Sequence, residues 1–479
     1  MTNEKSIPSA PGAWPVIGHT ARLRRDPVGF LESFRSHDGL VRYQVGPKEL
    51  IMVCDSDLTR QMLVDDRTFD KGGPINALVQ TLVGDGLATC PRSRHRAYRR
   101  SIQPVLDPDR FPHYAQTTAA GIETAIGGWR DGQILDMPVE MRRLGIHAAV
   151  RTWFSGALTP SEADRTADDF TTILVGFAHR VGRPPLLNRL PTRGNRLHTE
   201  AIARIRHNLG EVIAKRREGA ADHDDLITAL LAPSGDGSPS LSDPVAIDHA
   251  TTFIAAPTAT IASTLGWVFH LLAQHPGIAD SLYTEVDTVL AGQPAGFEHV
   301  PDLKLARRII NETLRLYPSL WLGTRVVTTD THLGGHLLPT GTVLSYSPYL
   351  VGRSHLYDNP DSFDPDRWDD SVRNAPPRHA FIPFGGGARQ CLANQYAPME
   401  MVLALATIAS RWRLEPVPGT PRRPRAAANL TARGLRLRAV KRSHSFKDDD
   451  LTAAAVPGTP AARPPAGTRR PTERASWLV

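Results

Sequence analysis

A chain of 479 residues with 41% hydrophobic content can bury a large core, and its length alone allows two or three domains. Its formal net charge is +7, but the arginines are spread along the chain and no nucleic-acid motif accompanies them, so a solvated surface accounts for the charge. Three cysteines, Cys54, Cys90 and Cys391, exclude a disulfide framework, and no C-x-x-C zinc spacing is present.

From the N-terminus, residues 1–23 contain no apolar run long enough to span a bilayer and no signal-peptide core. Pro8, Pro11, Pro15 and Gly18 punctuate them instead. The expectation is a cytoplasmic protein without a membrane anchor. Residues 28–36 read as a short amphipathic helix, and Leu40–Val45 with Glu49–Val53 read as a hairpin around Gly46-Pro47. A helix is expected over Asp57–Val64, and glycine-rich residues 70–90 read as an irregular segment. His95 and Arg99 share a helix face, which suits either a clamp for a carboxylate or phosphate or a basic solvated face.

Residues 115–235 are helical in pattern, broken at Gly182-Arg183-Pro184-Pro185, and Ser234–Pro239 is a loop. Ser242 and Asp243 then open a helix with Pro244 in its first turn, ending at His275-Pro276-Gly277. Pro257 lies inside it and is expected to kink it. Within this helix Thr260 either meets a ligand or bonds back to a carbonyl of the preceding turn. Glu312 and Arg315, three apart, make a plausible helical ion pair. Thr331–Leu344 reads as a hairpin turning at Pro339-Thr340-Gly341. Phe384-Gly385-Gly386-Gly387-Ala388-Arg389-Gln390-Cys391 reads as a glycine-rich loop bringing one cysteine to a helix start. Helix amides, close backbone N–H groups and Arg389 would each lower that thiol's pKa, while a buried structural cysteine is the bland alternative. A helix follows over Tyr396–Trp412, then a turn at Asn429–Gly434, and residues 442–479 lack an apolar period and read as a disordered tail.

Phe384-x-x-Gly-x-Arg-x-Cys391 resembles the haem-ligand loop of the cytochrome P-450 family of haem-thiolate monooxygenases. One departure is Ala393, where the family usually has glycine. The resemblance spans roughly residues 10–440 and implies one domain over 1–441. It implies a mainly α fold with small β-sheets, with haem b between the long kinked helix and the cysteine loop. It makes Cys391 the axial iron ligand, with Phe384 and Arg389 in the same loop, and His95, Arg99 and Arg325 donors to the haem propionates. Ala256-Pro257-Thr258-Ala259-Thr260-Ile261 is similar to the family's oxygen-activation segment. Thr260 matches its alcohol, but Pro257, Ala259 and Ile261 replace the usual glycine, acid and second hydroxyl. Glu312, Arg315 and Arg367 match a buried structural network. Leu320, Trp321 and Leu322 match the pocket wall, together with Phe253, Ala256 and Ala259.

The resemblance further implies dioxygen chemistry, with electrons passing from NAD(P)H through a reductase and a ferredoxin. The uncharged iron-facing segment favours an apolar substrate, and Thr260–Thr264 after a proline is similar to bacterial enzymes that oxidise cyclic terpenes in secondary metabolism. A polyketide, a fatty acid and a peroxide-driven reaction stay open. The peroxide reading calls for an arginine in the long helix, and none occurs between Thr251 and Trp267. A monomer is expected, with a basic face that includes Arg389 for an acidic ferredoxin.

Overall fold

The computed structural model describes residues 6–180, 183, 185–219, 225–232, 240–369, 371, 376–419, 425–426, 429–432 and 434–442. The expected tail beyond Arg442, the Ser234–Pro239 loop, and Gly182 and Pro184 of the Gly182–Pro185 break lie outside them. The architecture is mainly α with small β-sheets.

The largest sheet has five strands, built around the predicted hairpin. Leu40–Val45 pairs antiparallel with Lys48–Val53, which runs parallel to Val343–Tyr346. Gly323–Val327 pairs antiparallel with Val343–Tyr346, and Phe69–Lys71 closes the far edge. The sheet thus brings residues from both ends of the chain together, with Phe30, Phe34, Tyr43 and Tyr349 packed on one face.

Two local expectations are corrected. Residues 70–90 are not irregular throughout, because a helix occupies Gly73–Val83. Pro74 sits in its first turn and the glycines cluster at its ends, Gly72 before and Gly84 after, leaving an apolar run between. The hairpin near residue 335 turns at Gly334-Gly335, not at Pro339–Gly341, and joins Thr331–Leu333 to His336–Leu338. Both glycines have positive φ, +58° and +79°, the requirement of a two-residue hairpin turn. Pro339–Gly341 leads instead into the central strand Val343–Tyr346.

The helical body surrounds one core helix, Asp243–Gln274, of 32 residues. At 1.5 Å per residue it is roughly 48 Å long. Among the described residues it alone is long and apolar enough to cross a bilayer, yet most of that stretch is buried inside the protein. Its most extensive neighbour is Met137–Phe154. Gly145 permits the approach, since a Cβ there would lie 3.2 Å from the Pro257 carbonyl oxygen. Pro257 does not interrupt the helix, which runs unbroken across it. Proline lacks the N–H that would reach the Phe253 carbonyl, a loss that this long helix absorbs. Trp267, farther along, stacks on Tyr317 with ring centroids 3.9 Å apart and donates from Nε1 to the Leu430 carbonyl at 2.8 Å.

Candidate active site

The Cys391 loop is held by its backbone. Cys391 N donates to the Phe384 carbonyl at 2.9 Å, and Gln390 N to that of Gly387 at 3.0 Å. Gly387, at φ +64°, is required by close approach, because a Cβ would fall 2.2 Å from the Leu63 carbonyl oxygen. Gly385, at φ +71°, has open space where its Cβ would be. The next helix starts only at Tyr396, so Cys391 precedes a turn and does not stand at a helix start. The expected helix amides are replaced by one backbone hydrogen bond from Ala393.

Burial pushes the Cys391 thiol up, while Ala393, Arg99 and Lys71 act to lower it. The residue is nonetheless exposed.

Arg389 does not supply the expected charge at the sulfur or on the outer face. Its side chain is 1% exposed and bonds Asp70 Oδ1 at 2.5 Å, with Nη1 donating to the Cys90 carbonyl at 2.9 Å. Its neighbour Asp66 Oδ2 lies 3.7 Å from Nε. A buried, doubly paired guanidinium braces the loop against the Asp65–Asp70 segment.

Arg99 and Lys71 lie near the sulfur, and His95 and Arg325 lie near them in turn. His95 is buried, and burial together with Arg389 and Arg99 pushes its pKa down to about 4. Arg99 Nη1 donates to the Gln390 carbonyl at 2.8 Å and so touches the cysteine loop directly. Arg325 is 3% exposed, makes one long bond to the Thr324 carbonyl at 3.4 Å, and leaves Nε without a partner among the described residues. Lys71 stands directly opposite Arg325 in the strand pair. Burial, then Arg325 and Arg389, push Lys71 down to about 7. Like charges opposite one another repel, so this pair calls for an anion. Lys71 was not found by sequence reasoning. The motif Phe69-Asp70-Lys71-Gly72-Gly73 carries no sign of its partner strand 250 residues away.

On the core helix, Ala256 and Thr260 are exposed although most of the helix around them is buried. Phe253 and Ala259 are partly exposed beside them. Positions 253, 256 and 260 fall on one stripe, so the helix turns an uncharged face to open space. Thr260 Oγ1 donates to the Ala256 carbonyl at 2.8 Å, the back-bonded arrangement, while remaining exposed. Of the suggested wall residues, Leu320 is 40% exposed. Trp321 and Leu322 are buried in the cluster that includes Phe30, Leu31 and Tyr349.

Behind the cysteine loop, Arg315 uses all five donors. Nε and Nη2 bond the two Glu312 oxygens at 2.8 and 2.7 Å. The remaining N–H groups reach the carbonyls of Gly352 and Pro360, both at 2.6 Å, and Ser362 at 2.9 Å. Glu312 also accepts from Asp364 N at 3.0 Å and Trp368 Nε1 at 2.9 Å. Arg367 Nε lies 3.6 Å from Glu312, and both Glu312 and Arg315 side chains are 0% exposed.

Residues 8–435 match the family described as Cytochrome P450. Pentalenene oxygenase of Streptomyces avermitilis is 38% identical over 437 residues, covering 91% of this chain and 97% of the relative. Cyclooctat-9-en-7-ol 5-monooxygenase of Streptomyces melanosporofaciens is also 38% identical, over 415 residues, 86% of this chain and 90% of the relative. Cyclooctatin synthase of the same organism is 36% identical over 433 residues, 89% and 94% of the two chains.

Proposed function

The chain belongs to the cytochrome P450 family of haem-thiolate monooxygenases, which carry haem b, and from that premise we propose that it oxidises a cyclic terpenoid with Cys391 as iron ligand. Haem supplies the activation of dioxygen when bound. The residues fit that group on three counts. Cys391 is exposed and so open to a ligand. Arg325 carries a buried N–H without a partner among the described residues. Lys71 and Arg325 stand opposite one another across the strand pair, two basic side chains that two carboxylates would satisfy.

In this reading His95, Arg99, Arg325 and Lys71 hold the propionates, and Phe384 packs beside the ring. Arg389 acts at one remove by bracing the loop. The observation that carries the substrate class is the uncharged face of exposed Ala256 with partly exposed Phe253 and Ala259. It offers an apolar skeleton contact area and no ion partner. The pentalenene and cyclooctat-9-en-7-ol oxygenases, similar over nearly their whole lengths, support the terpenoid class.

Thr260 is assigned to proton delivery. With Ala259 in the acid position, its hydroxyl is the exposed side-chain donor of that segment, since the Thr258 hydroxyl is buried against the Ile254 carbonyl, and it orders water beside the substrate. Thr260→Ala is expected to keep substrate affinity while product per NAD(P)H consumed falls about tenfold or more, in line with the loss of a positioned proton donor. Thr260→Ser should recover most of it. Equal coupling in Thr260→Ala would remove Thr260 from the reaction.

Electrons are proposed to arrive from an acidic ferredoxin and its reductase in the cytoplasm, to a monomeric enzyme. Exposed Arg92, Arg96 and Arg100 rim a groove of about 500 Å³ that includes Gly387 and Ala388 of the cysteine loop. These replace Arg389 as the basic docking residues.

The test is an absorbance titration of the haem-loaded protein with cyclic sesquiterpenes and diterpenes, fatty acids and a polyketide. A saturable low- to high-spin shift with terpenes alone is expected. A shift with fatty acids or the polyketide alone would overturn the terpenoid assignment.

A further inference from the structure

The N-terminal segment makes a tight turn, Trp14-Pro15-Val16-Ile17-Gly18. Trp14 N donates to the Gly18 carbonyl at 3.0 Å and Gly18 N to that of Trp14 at 2.9 Å. The turn is pinned to the edge of the large sheet, where Gly18 bridges Val45 and Gly46 N reaches the Ile17 carbonyl at 3.2 Å. A rigid turn so anchored could hide its apolar side chains against the sheet. It does the reverse. Trp14 is 66% exposed, Val16 87% and Ile17 40%. Single exposed apolar residues are ordinary, but three on one turn make a patch.

Val16 also has φ +65°. A β-branched residue in the left-handed region is strained, and glycine would sit there freely. The chain therefore keeps an unfavourable residue at the apex and points it at solvent. Strain retained at an exposed apex marks a contact surface rather than a core.

Charge says what covers it. The turn leads directly into the helix Thr20–Arg25, where Arg22, Arg24 and Arg25 are exposed. Lys48 is exposed on the neighbouring hairpin, beside Gly46. Of the nearby acids, Glu49 is paired with Arg42 at 3.3 Å and Asp26 caps the next helix at Gly29. An apolar apex with tryptophan, followed by three exposed arginines and neighboured by an exposed lysine, matches the interface of an anionic bilayer, where apolar side chains enter the headgroup boundary and cations meet phosphates. The same combination recurs at Leu186, 71% exposed, beside Leu187, Leu190 and Arg189.

We propose that the Trp14–Gly18 turn and its arginine rim seat this protein reversibly on an anionic lipid surface. The proposal is independent of which substrate is oxidised.

The full-length, haem-loaded protein is floated with vesicles of phosphatidylglycerol and phosphatidylcholine, and with phosphatidylcholine alone. Binding to the anionic vesicles at low salt is expected, weakening several-fold at high salt. Val16→Gly should lower binding several-fold while its thermal midpoint holds or rises, because glycine relieves the strain. That opposite movement separates a contact role from a structural one. Absence of binding to anionic vesicles, equal binding to neutral ones, or unchanged binding of Val16→Gly would overturn the proposal. A concentration-dependent dimer lost in Val16→Gly would assign the turn to a second copy of the chain and overturn it as well.

Discussion

Arg315→Ala is expected to destabilise the protein by about 3–5 kcal/mol, because it leaves the Glu312 carboxylate buried without its counter-charge. Arg315 also satisfies the carbonyls of Gly352, Pro360 and Ser362, which lose their donor together with the pair. Domains of ordinary stability have only about 5–15 kcal/mol in total, so most of the expressed variant should be insoluble or haem-free. Arg315→Lys should fail similarly, since one ammonium cannot reproduce a five-donor fork. Glu312→Gln, which removes the charge but keeps the shape, should cost less than Arg315→Ala. The surface pair Arg60–Asp57, with side chains 51% and 61% exposed, is the control. Arg60→Ala should move the urea midpoint little. An Arg315→Ala protein with the midpoint of the parent chain would refute the structural role.

The hairpin, the core helix and the Tyr396 helix were legible because each is announced by local chemistry: a Gly-Pro turn, a Ser-Asp-Pro start, an uninterrupted apolar run. The Glu312–Arg315 pair was legible because three-residue spacing fixes its geometry on a helix. What failed was whatever depended on partners distant in sequence. Arg389 reads as a free charge beside Cys391, but Asp70 and Asp66 neutralise it from another segment. Lys71 gains its position only by pairing with Gly323–Val327. The Gly73–Val83 helix was masked by the very glycines that bound it.

Cys391→Ser carries the second large expectation. Serine has nearly the same size, and the loop is held by Cys391 N to the Phe384 carbonyl and by Arg389, not by the sulfur. Folding of the haem-free chain should therefore change little. The hydroxyl cannot supply the thiolate donation on which this chemistry depends. Monooxygenase turnover should fall at least about a thousandfold, or ~4 kcal/mol of barrier. Cys90→Ser is the matching control. Cys90 is fully buried and engaged through its backbone carbonyl, so it should retain the cofactor signature of the parent protein.

The ferrous carbon-monoxide absorption spectrum of the parent protein, set beside that of Cys391→Ser, tests the assignment most directly. The parent should show the strongly red-shifted Soret band of thiolate-ligated haem, and Cys391→Ser should lose it. A haem-loaded, folded parent without that band, or a Cys391→Ser protein that keeps it, would contradict Cys391 as the iron ligand.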